Sequence, residues 1–187
     1  MVVLFALAFV IFGCYLVWEL VDLPETAKAC LKLFVDASPL IIWLFFRTAP
    51  CFVFLLFCFI ANMVIFSNNV IGAIVFIVAY CFAAVYASVQ YNFDLLKLAG
   101  SLGVVAALEA AVLLFYKENR LGVIIYGFTA CAACVYAFLV SKNFGFLSLV
   151  IADSLLMVNE IRSNKAVFLV SDFFYFLGIC LVPLVLR

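Results

Sequence analysis

The chain contains no histidine among its 187 residues. That absence excludes a Ser-His-Asp triad and any His-ligated metal centre. Charge is scarce as well. Ten Lys and Arg balance ten Asp and Glu, and charged residues make up 11% of the chain, where a soluble domain carries about 25%. Net charge is zero and no basic run exceeds two residues, which argues against a nucleic-acid partner. Proline occurs only at positions 24, 39, 50 and 183, and no internal repeat is visible. A transporter built from inverted halves with Gly- or Pro-broken helices would show a repeat.

What the chain does have is apolar surface. Hydrophobic residues make up 72% and aromatics 18%, with 23 Phe. Soluble domains are about 45–50% apolar, so the solvent of this chain is largely lipid. Its length suits one domain, a single integral-membrane helical domain over residues 1–187. Eight Cys lie almost entirely inside apolar runs and read as small buried hydrophobes, not a disulfide framework. Cys131 and Cys134 form a CxxC, but no second pair or His completes a zinc site. No metal and no cofactor is expected.

A membrane-crossing helix needs about 20 mostly apolar residues. Eight candidates appear, over Val2–Trp18, Leu33–Phe46, Cys51–Phe66, Val70–Val89, Leu98–Phe115, Leu121–Val140, Phe144–Val158 and Ala166–Leu186. The apolar runs do not alternate with polar residues as barrel strands would, so the predicted class is all-α, a polytopic membrane bundle. The breaks are short and polar, at 67–69, 116–120, 141–143 and 159–165, so neighbouring helices run antiparallel and leave no soluble domain between them. The first segment lacks a basic start and a small-residue cleavage site, and reads as a retained helix; IFGC at 11–14 resembles a lipoprotein cysteine only faintly. Leu20 to Lys32 would link it to the second helix. Eight helices place both termini on one side. Lys28, Lys32, Lys117, Arg120, Arg162 and Lys165 gather on one side, against Arg47, Lys97, Lys142 and Arg187 on the other, too even a split to fix orientation. Small-residue stripes at Ala99, Gly103, Ala107 and Ala111, at Ala79, Ala83 and Ala87, and at Ala133 and Ala137 mark expected packing faces.

Against this background the stretch FLSLVIADSLLMVNE at 146–160 poses a question, because Asp153 stands in its middle. An acid at the centre of a membrane helix costs about 2.5–3.5 kcal/mol on insertion scales. A residue kept at that cost turns inward and pairs, or performs a task. Glu109, Asp172, Asp36 and Asn62 also fall inside apolar runs. Each has an ordinary reading. Asp36 follows Lys32 by four and suits a helix-face pair. Asp172 suits a cap with Ser171 near a helix start. Asn62 suits an interhelical bridge worth about 0.6 kcal/mol. Tyr80 suits packing. Glu109 lies about 200° from the Ala99–Ala111 stripe, two residues beyond Ala107.

The order of the polar residues carries more than any one of them. The third helix holds Ala61-Asn62, and the fourth holds Gly72, Phe76 and Ala79-Tyr80. The sixth begins VIIYG with Tyr126. The seventh reads Ala152-Asp153-Ser154-Leu155-Leu156 and reaches Asn159, and the last holds Phe174-Tyr175. In this order and spacing, from about Lys32 to Val182, the chain resembles the lysoplasmalogenase-like (YhhN-like) integral membrane family. That family's pattern has Gly-Asp at the Ala61-Asn62 place, Ala-His at Ala79-Tyr80 and Gln near Gly178 or Ile179. The resemblance implies an eight-helix bundle that hydrolyses the vinyl-ether bond of lysoplasmalogens to an aldehyde and a glycerophospho-headgroup. It implies a catalytic set of Asp153, Asn62 and Tyr80, with Glu109 standing in for the missing carboxylate where its helix brings it near Asp153. Asp172, Tyr175 and Tyr126 are then expected on the substrate-binding side. Asn62 neither exchanges a proton near neutral pH nor carries charge, and Tyr, with an unperturbed pKa of about 10, is a poor substitute for His. An inactive relative binding lipid or a partner therefore stays open. So does a small-solute or proton-coupled transporter using Asp153 and Glu109, and so does a purely structural subunit without a polar cavity. The expected partner is a membrane lipid or lysolipid, and the expected location is a multi-pass position in the endoplasmic reticulum or plasma membrane. Oligomeric state is left open.

Overall fold

Apolar runs separated by short polar breaks give eight α-helices among the described residues: α1 Val2–Leu20, α2 Glu25–Phe46, α3 Ala49–Ile65, α4 Asn69–Tyr91, α5 Leu95–Phe115, α6 Arg120–Ser141, α7 Phe144–Ile161 and α8 Lys165–Leu181, followed by a 3₁₀ turn at Val182–Leu184. The computed structural model describes residues 2–65, 67–115, 120–161 and 163–187, without the side chains at 112, 115, 120–123, 160 and 161. The expected third-helix end at Phe66, Lys117 of the 116–120 break, the Arg120 side chain and Arg162 lie outside the described residues. The protein is an all-α bundle, with no strand among the described residues. Among the described residues, five helices are long and apolar enough to cross a membrane: Val2–Leu20, Glu25–Phe46, Asn69–Tyr91, Ile124–Ser141 and the run Lys165–Leu184. Ala49–Ile65 and Phe144–Asn159 are shorter apolar helices. These features are compatible with an integral membrane protein.

Most of the segment expected to link the first two helices is itself helical, since α2 begins at Glu25 and not at Leu33. Its sequence, Glu-Thr-Ala-Lys-Ala-Cys-Leu-Lys, is rich in strong helix formers. Glu25 favours the positive N-terminal end of the dipole, and Pro24 precedes it. At the other end of the chain α8 stops at Leu181, because Pro183 lacks the amide needed to extend it. The polar breaks supply caps. Asn68 Oδ1 accepts from the Ile71 amide at 3.1 Å, and Asn164 Oδ1 accepts from Ala166 at 2.9 Å. Asn159 Oδ1 in turn accepts from the Asn164 amide at 2.8 Å, so Asn159 shapes the turn into α8. Ahead of α5, Asp94 accepts from the Lys97 amide at 3.1 Å and pairs with its Nζ at 3.2 Å. Those contacts hold the Asp94 carboxyl below the usual carboxylate range.

Neighbour relations close seven helices into a ring in the order α1, α2, α3, α4, α6, α7, α8 and back to α1. Helix α5 stands outside this ring, packed mainly on α6 and touching α7. Its buried line is Ser101, Val105 and Glu109. The stripe Ala99, Gly103, Ala107 and Ala111, expected to pack, is exposed, and a Cβ added at Gly103 would meet nothing within 4 Å. The stripe on α4 behaves as expected: Ala79, Ala83 and Ala87 are fully buried. One helix places its small residues inward and the other outward because α4 has helices on several sides and α5 has them on one.

The α7–α8 seam is the closest. A Cβ on Gly145 would lie 2.6 Å from the Val182 amide nitrogen and 2.8 Å from Leu181 Cβ, and one on Gly178 would lie 2.6 Å from Leu149 Cδ2. At one end of the bundle the last residues are tied down, with Thr48 Oγ1 donating to Leu186 O at 2.6 Å and Tyr86 Oη donating to Arg187 O at 3.1 Å. Because backbone opposes the new methyl, Gly145→Ala is expected to lower stability by about 1–3 kcal/mol, read as the unfolding midpoint in detergent. An unchanged midpoint would mean the seam relaxes freely.

Candidate functional site

Helix α7 has one continuous buried line, Phe146, Leu149, Val150, Asp153 and Met157. The spacing of three and four residues is that of one helical face, and Asp153 occupies the place of an apolar residue on it. Only 6% of Asp153 is exposed. The carboxyl turns into the bundle, not to acyl chains. From α6, Tyr126 Oη donates to Asp153 Oδ1 at 3.1 Å. Asp153 Oδ2 is buried with no hydrogen-bond partner among the described residues. Beside it, Ser171 Oγ of α8 donates to Ala152 O at 2.8 Å, which pins the two helices together next to the acid.

Two further tyrosines close around it. Tyr80 of α4, 1% exposed, lies within electrostatic range of Asp153, Tyr126, Cys134 and Cys58. Tyr175 of α8 lies within range of Asp153 and Cys58, and its hydroxyl donates to Asn62 Oδ1 of α3 at 3.3 Å. Phe76 of α4 joins the two, its ring centroid 5.9 Å from Tyr80 and 5.7 Å, edge-on, from Tyr175. The residues Asn62, Tyr80, Tyr126, Asp153 and Tyr175 therefore converge from five helices on one buried centre. Three hydroxyls and an amide can orient a polar group beside the carboxyl and exchange hydrogen bonds with it.

Two of the expected site residues stand at the edges of this centre. Glu109, 6% exposed, reaches the seam of α5, α6 and α7. There Gly127 makes room for it: a Cβ on that glycine would collide with Glu109 Oε1 and the Met157 methyl. Met157 is one turn along α7 from Asp153, and Cys131 is within electrostatic range of both acids. Glu109 Oε2 is buried and has no partner among the described residues. Asp172 instead lies toward α1, within electrostatic range of Tyr15 and Glu19. Asp172 Oδ2 is likewise buried without a partner among the described residues. Asp36 is buried on α2, within electrostatic range of Lys32. The described ion pairs all lie near helix ends: Lys28–Asp22, Lys97–Asp94 and Lys165–Glu19.

Cys58, Cys131 and Cys134 are more intimate with the site than packing alone suggested, since all three lie in the electrostatic range of Asp153. Cys58 precedes Asn62 by one helical turn and shares its face. Among the described residues no group of three His, Cys, Asp or Glu is placed to hold a metal ion. Where a Gln would sit on α8 there is no room: Gly178 receives Leu149, and Ile179 is fully buried. A groove of about 370 Å³ lies between α4, α5 and α6, lined by Ala84, Ser88, Leu98, Phe128, Ala132 and Tyr136 among others. A second, of about 340 Å³, lies at Trp43 and Phe52. Asp153, Tyr80 and Asn62 line neither of these, so neither is the wet hollow expected around the acid. No family model, curated protein or solved structure matches the chain.

The geometry separates a positioning bond from a bare acid. Removing the Tyr126 hydroxyl leaves both Asp153 oxygens without a described donor. Tyr126→Phe is expected to cost about 1–3 kcal/mol of stability, the penalty of a buried polar group stripped of its partner, while Tyr126→Phe combined with Asp153→Leu recovers most of it. Unfolding midpoints of the single and double variants check this. A harmless single variant would show that Asp153 finds another donor.

Proposed function

We propose that the chain is a multi-pass membrane protein of lysoplasmalogenase-like type, acting on the vinyl-ether bond of a lysolipid with Asp153 as its acid. One observation carries this reading. Asn62, Tyr80, Tyr126 and Tyr175, four of the residues quoted for the resemblance, lie far apart in the chain yet cluster with Asp153. That convergence supports the reading.

The chemistry suits a buried carboxyl. A proton passes from Asp153 to the alkene carbon remote from the ether oxygen, and the cation left is shared between the adjacent carbon and that oxygen. Water adds to this carbon and returns a proton to the carboxylate. The hemiacetal then breaks its C–O bond to the glycerol, whose oxygen takes up the hydroxyl proton, leaving an aldehyde and the headgroup alcohol. Overall one water is consumed and the acid is regenerated, as general acid–base catalysis requires. Tyr126 orients the carboxyl, and Tyr80 and Tyr175 stand where hydroxyls can hold the water or the ether oxygen. The membrane supplies the substrate laterally, in the endoplasmic reticulum or the plasma membrane.

A second reading is favoured by Asn62. The side chain in the place of the family's second acid is a neutral amide, and its oxygen is already occupied by Tyr175. A protein that binds a lysolipid in this centre without turning it over would have that arrangement. Purified protein given a lysoplasmalogen separates the two. Aldehyde release is expected, falling by at least about a hundredfold in Asp153→Asn, within the range lost with a general acid. Equal release from both proteins would remove Asp153 from catalysis. Binding without release from either would favour the non-turnover reading.

A further inference from the structure

Helices α4 and α5 follow one another in the chain, yet each is held by α6. Both pack on α6, and they make no substantial contact with each other among the described residues. The break at 92–94 joins them at one end, with Asn92 in the left-handed region at φ 64°. The two helices thus form a wedge with α6 as its floor, and the groove of about 370 Å³ fills that wedge. Ser88, Leu98 and Tyr136 line it near the joined end, and Cys81, Leu102 and Phe128 line it further in. At a rise of about 1.5 Å per residue this is about 10–12 Å of helix. The groove opens sideways, since two of its lining residues, Val85 and Leu102, are exposed. Its joined end has a charged rim. Tyr136 Oη accepts from the Asp94 amide at 3.3 Å, and the Tyr136 ring meets that of Phe93 at 6.1 Å between centroids. Asp94 Oδ2 pairs with Lys97 Nζ at 3.2 Å, and both side chains are partly exposed. Phe93 and Leu98, which flank these two in sequence, belong to the lining. A carboxylate and an ammonium therefore stand side by side where the groove meets the boundary.

We propose that this groove is a lipid site separate from the Asp153 centre, taking one acyl chain of a zwitterionic glycerophospholipid whose headgroup lies over Asp94 and Lys97. The interior suits methylene groups. The Ser88 hydroxyl is already given to Val85 O at 2.7 Å, and besides Thr129 and the Tyr136 hydroxyl the lining is apolar side chains and Cys81. Ordered water needs two to four polar partners, more than this surface offers along its length. A chain in the wedge touches three helices at once, where a chain on a smooth helix face touches one. In lipid the gain is dispersion and not the hydrophobic effect, so the shape of the groove decides which chain stays. The rim selects the headgroup. Lys97 Nζ gives one of its three N–H groups to Asp94 and has others for a phosphate oxygen. The quaternary or primary ammonium beyond that phosphate then faces Asp94. A neutral headgroup meets a neutral pair with each charge opposite its complement, whereas an anionic headgroup sets an uncompensated charge beside Asp94.

The site stands whether or not the Asp153 centre hydrolyses a lipid, so the test measures binding alone. The full chain in detergent is titrated with diacyl phosphatidylcholine and followed by native mass spectrometry. A phosphatidylcholine with a diazirine on its chain then maps the residues it touches. One lipid per chain is expected to be retained, with photolabelling on Cys81, Leu102 and Thr129. Ala133→Phe, which puts a ring into the groove, is expected to weaken retention by at least about tenfold. Lys97→Gln keeps every lining residue and is expected to weaken it by about threefold, the size of a partly exposed charge pair, so it decides the matter even where Ala133→Phe fails to fold. Ala37→Phe, which fills the second groove, leaves retention unchanged, and phosphatidylglycerol is held less well than phosphatidylcholine. Label spread evenly over the lipid-facing helices, or confined to Tyr126 and Tyr175 of the Asp153 centre, overturns the site. So does retention that neither Ala133→Phe nor Lys97→Gln alters, and equal retention of the two lipids overturns the headgroup assignment.

Discussion

The Tyr126–Asp153 hydrogen bond is the contact around which the interior is arranged. A carboxyl in an apolar bundle is costly unless donors meet it, and this one is met from α6 while its second oxygen has no donor among the described residues. The surrounding choices follow from that need. Ser171 fastens α8 to α7 at the residue next to the acid. Gly145 and Gly178 let the same two helices come close enough for Tyr175 to reach inward. The fully buried alanines of α4 leave room for Tyr80. If Asp153 were a leucine, the Tyr126 hydroxyl would lose its partner, while Tyr175 would keep Asn62. With the acid present they share one centre.

Helix number and class were legible in the chain because length and apolarity alone decide them in lipid. The errors came where a residue type has two physical uses. Residues 25–32 carry two lysines and a glutamate, which read as a break under a hydropathy rule. Their helix propensity and the dipole outweigh that charge at a boundary. On α5 the stripe Ala99, Gly103, Ala107 and Ala111 fits close helix contact equally well on either side of the helix. Only the number of neighbours decides which side is used, and one sequence does not encode that number locally. Ser101, Val105 and Glu109, spaced by four and less conspicuous, formed the buried line.

The site was legible to a similar depth. Asp153 stood out because of its insertion cost, and Asn62, Tyr80, Tyr126 and Tyr175 because of order along the chain. Cys58 and Cys134 did not, since a thiol inside an apolar run is indistinguishable from a packing residue until its neighbours are known. Tyr15 was hidden for the same reason: nothing in GCYLVWEL marks one aromatic among many as the partner of a carboxyl more than 150 residues away. Its neighbour Glu19 carried the only hint, an acid one turn further along the helix.

Three carboxyls each have a buried oxygen without a partner among the described residues, and their surroundings differ in kind. Glu109 enters where a glycine yields space, between a thioether and a thiol, on a helix outside the ring. Asp172, half-buried on α8 within the ring's wall, lies in electrostatic range of Tyr15 and Glu19 of α1. A hydroxyl both donates and accepts, whereas a thioether only accepts weakly. Asp172 is therefore set beside a group that can exchange hydrogen bonds with it, and Glu109 among groups that fix its shape.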